Sequence, residues 1–187
     1  MLNYNSPIKE NKNYSDLTIK EIYPVMKLNI RGKKREFFTN VRKTLNMILP
    51  TEANTSTTND KLTSIWLSPD EWMIFSNDII KKDNNNYELE NLLFSNISKN
   101  SFGSTSDVTD QFVMINLEGK KIFELLSSGC PFNFSEFKKK KGSSTQTILN
   151  HIDVIIHHND SNNVNLFVRR SFSEHLWSWI NDAASRL

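Results

Sequence analysis

Apolar positions in the first half of the chain recur with two different periods, and each period predicts one kind of element. Alternation of apolar and polar residues over 26–30 predicts a half-buried strand. Residues 51–61 are all loop formers. The apolar runs 62–67 and 72–75 flank a proline-containing turn and therefore predict a hairpin. The polar stretch 101–109 is interpreted as extended. Two helical stripes follow from spacings of three and four: Phe37, Val41, Leu45 and Ile48, and then Leu89, Leu92, Leu93, Asn96 and Ile97.

The second half of the chain shows a similar succession of periods. Residues 112–117 predict a strand, and a short helix with apolar positions over 122–126 is expected to stop at Gly129. Residues 148–156 and 164–168 predict two strands joined by a polar turn. The last helix is expected to start at a capping box formed by Ser171 and Glu174. Its buried face is expected to consist of Phe172, Leu176, Trp179, Ile180 and Ala183.

The order strand, helix, strand, strand, helix, strand therefore occurs nearly twice. We predict an α+β protein made of two ferredoxin-like (split βαβ) units, about 22–109 and 111–187, the second without a clear last strand. No soft linker separates them, so residues 21–187 are expected to pack as one compact body. Residues 1–20 carry little periodicity and are predicted to be a flexible N-terminal arm.

Composition narrows the class of protein. Hydrophobic residues make up 37% of the 187 residues and include 12 Phe, which is too apolar and aromatic for a disordered chain. A net charge of +2 gives no reason to expect nucleic acid or an anionic membrane as partner. A single cysteine precludes an intramolecular disulfide and favours a reducing compartment. Without a signal sequence or an apolar run of roughly 20 residues, we expect a cytoplasmic protein.

Candidate thiol and imidazole chemistry finds little support in the sequence. Cys130 lies between a helix-stop glycine and a proline with no motif that brings a base to it, so a packed structural cysteine is expected. His151, Asp153 and His157 would share one face of the predicted strand. Residues i and i+6 on a strand are roughly 20 Å apart, too far for a common metal, so this face is interpreted as solvated.

The charged clusters and one tryptophan leave alternatives open. The carboxylate pairs Asp70–Glu71 and Asp107/Asp110 are interpreted as turn formers, since nothing marks one member as acid and the other as base. The lysine run 138–141 is interpreted as a solvated loop, with an acidic partner surface or a polyanionic cofactor tail as the alternative. Trp177 lies at the rim of the last helix's buried face and belongs either to a protein interface or to a wide core edge.

Several short segments resemble, in order and spacing, the gamma subunit of heterotetrameric sarcosine oxidase. The similarity covers roughly residues 25–185 and departs over 136–144, where this chain has four lysines. The matching segments are Leu67–Trp72, Asp107–Asp110, Leu125–Phe134, Gln146–Leu149 and Arg170–Trp179. The resemblance implies the fold of the folate-binding domain of glycine-cleavage aminomethyltransferases.

The resemblance also implies a function. The family's complex oxidatively demethylates sarcosine to glycine, with flavin, NAD and tetrahydrofolate carried by other subunits. The gamma subunit is expected to be a non-catalytic structural partner, with alpha, beta and delta subunits as its partners and without nucleic acid or membrane. No catalytic, cofactor-binding or metal residues are therefore assigned to this chain. The alternatives are a stand-alone tetrahydrofolate-binding protein related to aminomethyltransferases, and a nucleic-acid binder that uses the lysine run.

Overall fold

The computed structural model describes residues 5–8, 10–82 and 85–187. These residues form eleven strands: β1 Lys12–Tyr14, β2 Leu17–Ile22, β3 Lys27–Arg31, β4 Ser56–Thr58, β5 Leu62–Ser68, β6 Glu71–Ser76, β7 Ser104–Asp107, β8 Phe112–Glu118, β9 Ser144–Leu149, β10 Ile152–Asp160 and β11 Asn163–Arg169. They also form five α-helices: α1 Arg35–Leu45, α2 Glu88–Leu93, α3 Ile122–Ser127, α4 Phe134–Phe137 and α5 Arg170–Ala184. A π-helical turn, Phe94–Ser98, continues α2.

The first compact unit spans Pro24–Thr109 and contains one five-stranded sheet. Its strand order is β4-β5-β6-β3-β7, and all neighbouring strands are antiparallel. Helix α1 and the α2–π segment pack on one face of this sheet, since Phe37 and Leu93 share a buried cluster with Leu28 and Ile74. This is the split βαβ arrangement, with β4 added at one edge.

The second unit combines residues 110–187 with the N-terminal segment that ends at Tyr23. Its strand order is β1-β2-β8-β11-β10-β9, again antiparallel throughout. Strands β9, β10, β11, β8 and β2 occupy the same relative places as β4, β5, β6, β3 and β7 in the first unit. The predicted α+β fold of two split βαβ units is therefore confirmed, and the missing last strand of the second unit is β2.

The prediction of a flexible arm over residues 1–20 is wrong for Lys12–Lys20. Strand β2 pairs with β8, placing Ile19 opposite Leu117, and β1 pairs with β2. Leu17 and Ile19 are 2% and 0% exposed and belong to the second unit's core. The alternation in this segment is short, and its partner strand lies far along the chain, so the local pattern did not reveal it. Residues 1–4 and 9 of the predicted arm lie outside the described residues.

The two ends of the first unit are tied together at Lys27. Its backbone N–H donates to Thr109 Oγ1 at 2.9 Å. Its ammonium group, in a side chain only 1% exposed, lies 3.2 Å from the Val25 carbonyl and 3.4 Å from the Thr109 carbonyl. The segments through which the chain enters and leaves this unit are thereby held side by side. That the two units pack as one body stays a prediction.

Helix α1 is shorter than the apolar spacing predicts. Phe37, Val41 and Leu45 are buried as expected, but the helix ends at Leu45 because Asn46 adopts the left-handed conformation. Ile48 therefore leaves the helical stripe and is 61% exposed. Strand β4 also forms within a stretch predicted to be loop, as an edge strand paired with β5.

The single strand predicted over 148–156 is wrong, because it is a hairpin. Leu149 of β9 pairs with Ile152 of β10, so only Asn150 and His151 form the turn between the two strands. Both have positive φ, 48° and 63°, as a type I′ turn requires. The backbone twist of a type I′ turn matches the twist of the flanking strands. Asn is among the residues that tolerate positive φ best.

Replacing His151 with glycine is expected to stabilise the protein by about 0.5–1 kcal/mol, because glycine adopts positive φ without steric cost. Urea unfolding followed by circular dichroism measures the change. His175→Gly, an exposed position inside α5, is the matched control and is expected to destabilise by about 0.5 kcal/mol. A destabilising effect of His151→Gly would contradict the turn assignment.

Glycine is required at position 129 because the Trp179 ring approaches its Cα closely, and not because the residue ends a helix with positive φ. Helix α3 ends at Ser127, the next residue is still right-handed, and Gly129 is not among the residues with positive φ. A Cβ atom on Gly129 would lie 2.4 Å from the Trp179 ring. The glycine therefore lets the ring of α5 pack against the end of α3.

Helix α5 differs from its prediction in its cap and in part of its buried face. No side chain caps its N-terminus, so the predicted box of Ser171 and Glu174 is not formed. Phe172, predicted to be buried, is 50% exposed. The buried residues of the helix are Ser173, Leu176, Ile180 and Ala184.

Candidate functional site

The thiol of Cys130 lies in the core of the second unit. The residue is 8% exposed and joins the buried cluster beneath α3. Its Sγ atom lies 3.6 Å from Thr147 Oγ1 on β9. A hydroxyl group is a poor base, so this arrangement does not supply the activation that a nucleophilic cysteine needs.

The structure separates the three residues of the considered metal site. His151 is in the β9–β10 turn, Asp153 is exposed on β10, and His157 is 1% exposed. The interpretation of this face as solvated is thus wrong for His157. Among the described residues, no group of three or more His, Cys, Asp or Glu side chains is placed to hold a metal ion.

The adjacent histidines of β10 are both buried, which sequence reasoning missed. Burial, with a smaller contribution from the neighbouring His158, lowers the pKa of His157 to about 4. His158 is 2% exposed, its ring stacks on Phe137 at 5.7 Å, and its Nδ1 lies 3.0 Å from the Lys140 carbonyl oxygen. Three consecutive apolar residues, 154–156, were a signal for this burial, since a strand apolar on both faces is covered on both faces.

The carboxylates Asp70 and Glu71 act as hydrogen-bond acceptors within the β5–β6 turn. Asp70 accepts from Ser68 Oγ at 2.8 Å and lies 3.3 Å from Lys33 Nζ; the Ser68 hydrogen bond is the main reason for its lowered pKa. Glu71 accepts from Asn29 Nδ2 at 2.7 Å. Each carboxylate has its own partners, so the turn contains no pair with divided acid and base roles.

Asp107 is likewise engaged in structure. Burial acts to raise the pKa of this carboxyl, but hydrogen bonds from Lys82 and Thr109 outweigh it and hold the pKa below its usual range. Lys82 Nζ lies 2.6 Å away, and the Thr109 N–H donates at 2.9 Å. Asp110, its predicted companion, belongs to the second unit, whereas Asp107 belongs to the first.

The lysine run 138–141 is an ordered turn with exposed side chains. Backbone hydrogen bonds join Gly142 N–H to the His158 carbonyl and His158 N–H to the Ser143 carbonyl, both at 2.8 Å. Lys139 pairs with Glu136 at 2.6 Å, and Lys141 pairs with Asp160 at 3.0 Å.

Trp177 is half-buried against the second unit's core and lines a groove with Pro7 and Asn181. This chain's own N-terminal segment therefore forms part of the groove beside Trp177. Its contact with a partner protein stays a prediction.

A groove of about 560 Å³ lies on the second unit's sheet and contains several functional groups. Phe112 pairs with Arg169 across β8 and β11, and Asp153 pairs with Ile148 across β10 and β9. Val154 pairs with Val168 between the antiparallel strands β10 and β11, so Asp153, which precedes Val154, lies opposite Arg169, which follows Val168. The four side chains therefore form one row across the sheet. The row places an aromatic ring, a guanidinium, a carboxylate and an alkyl group side by side.

This groove is equipped for recognition. Arg169 and Asp153 are exposed, as is the amide of Gln146, and Ile148 is 38% exposed. Its described lining includes no histidine or cysteine; Thr147 supplies its hydroxyl group and Asp153 its carboxylate. Charged and apolar groups in one row can form ion pairs and apolar contacts with another molecule.

None of the helices that the structure describes is long and apolar enough to cross a membrane.

Comparison with known families gives one match over most of the chain. The family described as "Sarcosine oxidase, gamma subunit family" matches residues 32–186, which include parts of both units. None of the curated proteins compared with the chain matches it.

Two solved structures share the fold. Heterotetrameric sarcosine oxidase from Corynebacterium sp. U-96, in complex with pyrrole 2-carboxylate, has a chain that aligns with a TM-score of 0.80 and 20% identity, covering 91% of this chain and 84% of that one. The glycine cleavage system aminomethyltransferase T from Bartonella henselae aligns with a TM-score of 0.58 and 12% identity, covering 89% of this chain and 45% of that one. At these identities the likeness concerns the fold alone.

Proposed function

The chain belongs to the sarcosine oxidase gamma subunit family, and from this premise we propose that it is the non-catalytic gamma subunit of a heterotetrameric complex that oxidatively demethylates sarcosine to glycine. Its role is structural: it assembles against the large subunit and stabilises the complex. The observation that carries the proposal is the family match over residues 32–186, which extends well beyond any single short motif.

The environments of the reactive side chains support a structural role. Cys130 contacts a threonine hydroxyl, and the Asp70 and Asp107 carboxylates are held by hydrogen bonds that favour their ionised form. His157 is kept neutral by burial. Groups with these environments stabilise the fold, whereas a general acid or base needs access to a substrate and a pKa near the working pH.

The proposal places the redox chemistry on other subunits. Flavin, NAD and tetrahydrofolate are carried by partner subunits, and the complex works in the cytoplasm. The gamma subunit then contributes buried surface, which stabilises its partners by mass action because it binds only their folded forms.

Co-expression of the tagged chain with the cognate alpha, beta and delta subunits tests the proposal. We expect the tag to retain all three subunits and the complex to lose sarcosine oxidase activity faster on heating when this chain is omitted. The complex expressed without this chain is the control. Retention of none of the subunits, together with full activity and thermal stability in the control, would refute the proposal.

Calorimetry with tetrahydrofolate on the isolated chain separates this function from that of a stand-alone folate-binding protein. We expect no binding at sub-millimolar concentration, because a gamma subunit leaves tetrahydrofolate to its partner subunits. Sub-millimolar affinity would favour the folate-binding alternative.

A further inference from the structure

A second groove, of about 620 Å³, lies beside the C-terminal end of α1 in the first unit. It combines two cations, two polar side chains and two apolar ones. Its described lining is Thr39, Arg42, Lys43, Asn46, Met47 and Ile48. No carboxylate belongs to this lining, which distinguishes it from the groove on the second unit's sheet, where Asp153 accompanies Arg169.

The apolar part of this groove is held outward by a fixed backbone. Ile48 is 61% exposed, the largest value among the exposed large hydrophobic side chains of the described residues, whereas Met47 and Leu49 on either side are 7% and 5% exposed and belong to the core. The Ile48 carbonyl accepts a hydrogen bond from Thr57 Oγ1 at 2.8 Å. Because both neighbours are anchored, the Ile48 side chain cannot turn inward without breaking core packing.

The cationic part of the groove has no carboxylate in its described lining. Arg42 and Lys43 are exposed on the last turn of α1, and within the described residues neither forms an ion pair. The single acidic residue of α1, Glu36, lies in the first turn of the helix, roughly 10 Å from Lys43 along the helix axis. The positive potential of this groove is therefore directed at solvent.

We propose that this groove is the docking site for an acidic segment of a partner subunit, an inference that rests on the proposed function. Carboxylates of the segment contact Arg42 and Lys43, and an apolar side chain of the segment covers Ile48. A protein segment fits better than a nucleic acid, because no aromatic ring lines the groove to stack a base and two cations make few phosphate contacts.

The lysine run 138–141 provides a matched control for charge. Lys139 and Lys141 are exposed like the groove cations, but each already has a carboxylate partner in the second unit. Exchange of both residues to glutamate changes the net charge by the same amount as exchange of Arg42 and Lys43. A difference between the two double variants therefore reports position and not total charge.

The test measures binding of the purified chain to the three other subunits of the complex, by biolayer interferometry at about 50 and 300 mM salt, where screening differs strongly. We expect Arg42→Glu/Lys43→Glu to weaken binding by at least about tenfold at low salt, and less at high salt. Ile48→Ser is expected to weaken it by about fivefold at both salt concentrations. Lys139→Glu/Lys141→Glu is expected to change it by less than about twofold. Circular dichroism of each variant verifies its fold.

Each contrary result has a defined meaning. Wild-type binding with an unaffected Arg42→Glu/Lys43→Glu variant would overturn the docking site and leave the proposed function in place. Equal weakening by both double variants would overturn it in favour of general electrostatic attraction. Failure of the wild-type chain to bind the three subunits would refute the proposed function itself.

Two other occupants would also overturn the assignment. A dimer of the isolated chain, seen by analytical ultracentrifugation and abolished by Arg42→Glu/Lys43→Glu, would assign the groove to self-association. Tight, salt-sensitive binding of a single-stranded oligonucleotide that this variant loses would assign it to nucleic acid.

Discussion

Replacing Ile19 with alanine is expected to lower the free energy of unfolding by about 2–5 kcal/mol, the range for deleting a fully buried aliphatic side chain. Ile19 is 0% exposed and lies opposite Leu117, so its side chain fills the core from the strand that completes the second unit's sheet. Urea unfolding followed by circular dichroism measures the effect. Ile19→Asp, which places a charge in the same position, is expected to be more damaging still.

The neighbouring residue of the same strand is the matched control. Lys20 is half-exposed, and its ammonium group lies 3.7 Å from the Glu118 carboxylate. Such an exposed ion pair contributes little, so Lys20→Ala is expected to change stability by less than about 0.5 kcal/mol. If Ile19→Ala were as mild as Lys20→Ala, strand β2 would not belong to the core and the N-terminal segment would be the flexible arm that its composition suggests.

Lowering the pH from 7.5 to 5 is expected to remove about 2 kcal/mol of stability through His157 alone. In the folded protein, burial lowers the pKa of this imidazole to about 4. In the unfolded chain its pKa is about 6.5, so between pH 6.5 and pH 4 the imidazole is mostly protonated in the unfolded state and mostly neutral in the folded state. The stabilisation is complete above pH 6.5 and is lost as the pH falls towards 4.

His157→Gln removes this titration and is expected to reduce the stability difference between pH 7.5 and pH 5 by about 2 kcal/mol, whatever its effect at pH 7.5. Other groups, such as Asp107 with its lowered pKa, also lose stabilisation as the pH falls. Their contribution is common to the wild type and the variant. His175→Gln, at an exposed position of α5, should leave the difference unchanged. An unchanged difference for His157→Gln would show that this imidazole ionises freely in the folded protein.

Several elements follow directly from local pattern. The stripe Phe37, Val41 and Leu45 correctly predicted α1, and the apolar runs around Ser68–Glu71 correctly predicted the β5–β6 hairpin. The second unit's strand β11 and helix α5 were also placed within a few residues. These predictions succeed because side-chain period reports which face of a helix or strand is covered, and that is a property of neighbouring residues.

Candidate chemistry was harder to interpret from the sequence. Regular spacing brought His151, Asp153 and His157 together only if residues 148–156 were one strand. The Asn150–His151 turn divides that strand and moves His151 out of the set, while His157, further along β10, is buried. A pair of residues that both tolerate positive φ was the available signal, but it lacked the glycine that marks most type I′ turns.

By itself the sequence determined the fold class, the family and most helices and strands, because apolar period and motif order are carried by residues close together in the chain. Only the tertiary structure decided that residues 17–22 complete the second unit, that His157 is buried and that Ile48 faces solvent. Each of these depends on a partner distant in sequence or on the point where an element ends. The choice of a strand's neighbour, unlike its period, is settled by which unpaired sheet edge can bury its apolar face, and that edge belongs here to β8, far along the chain.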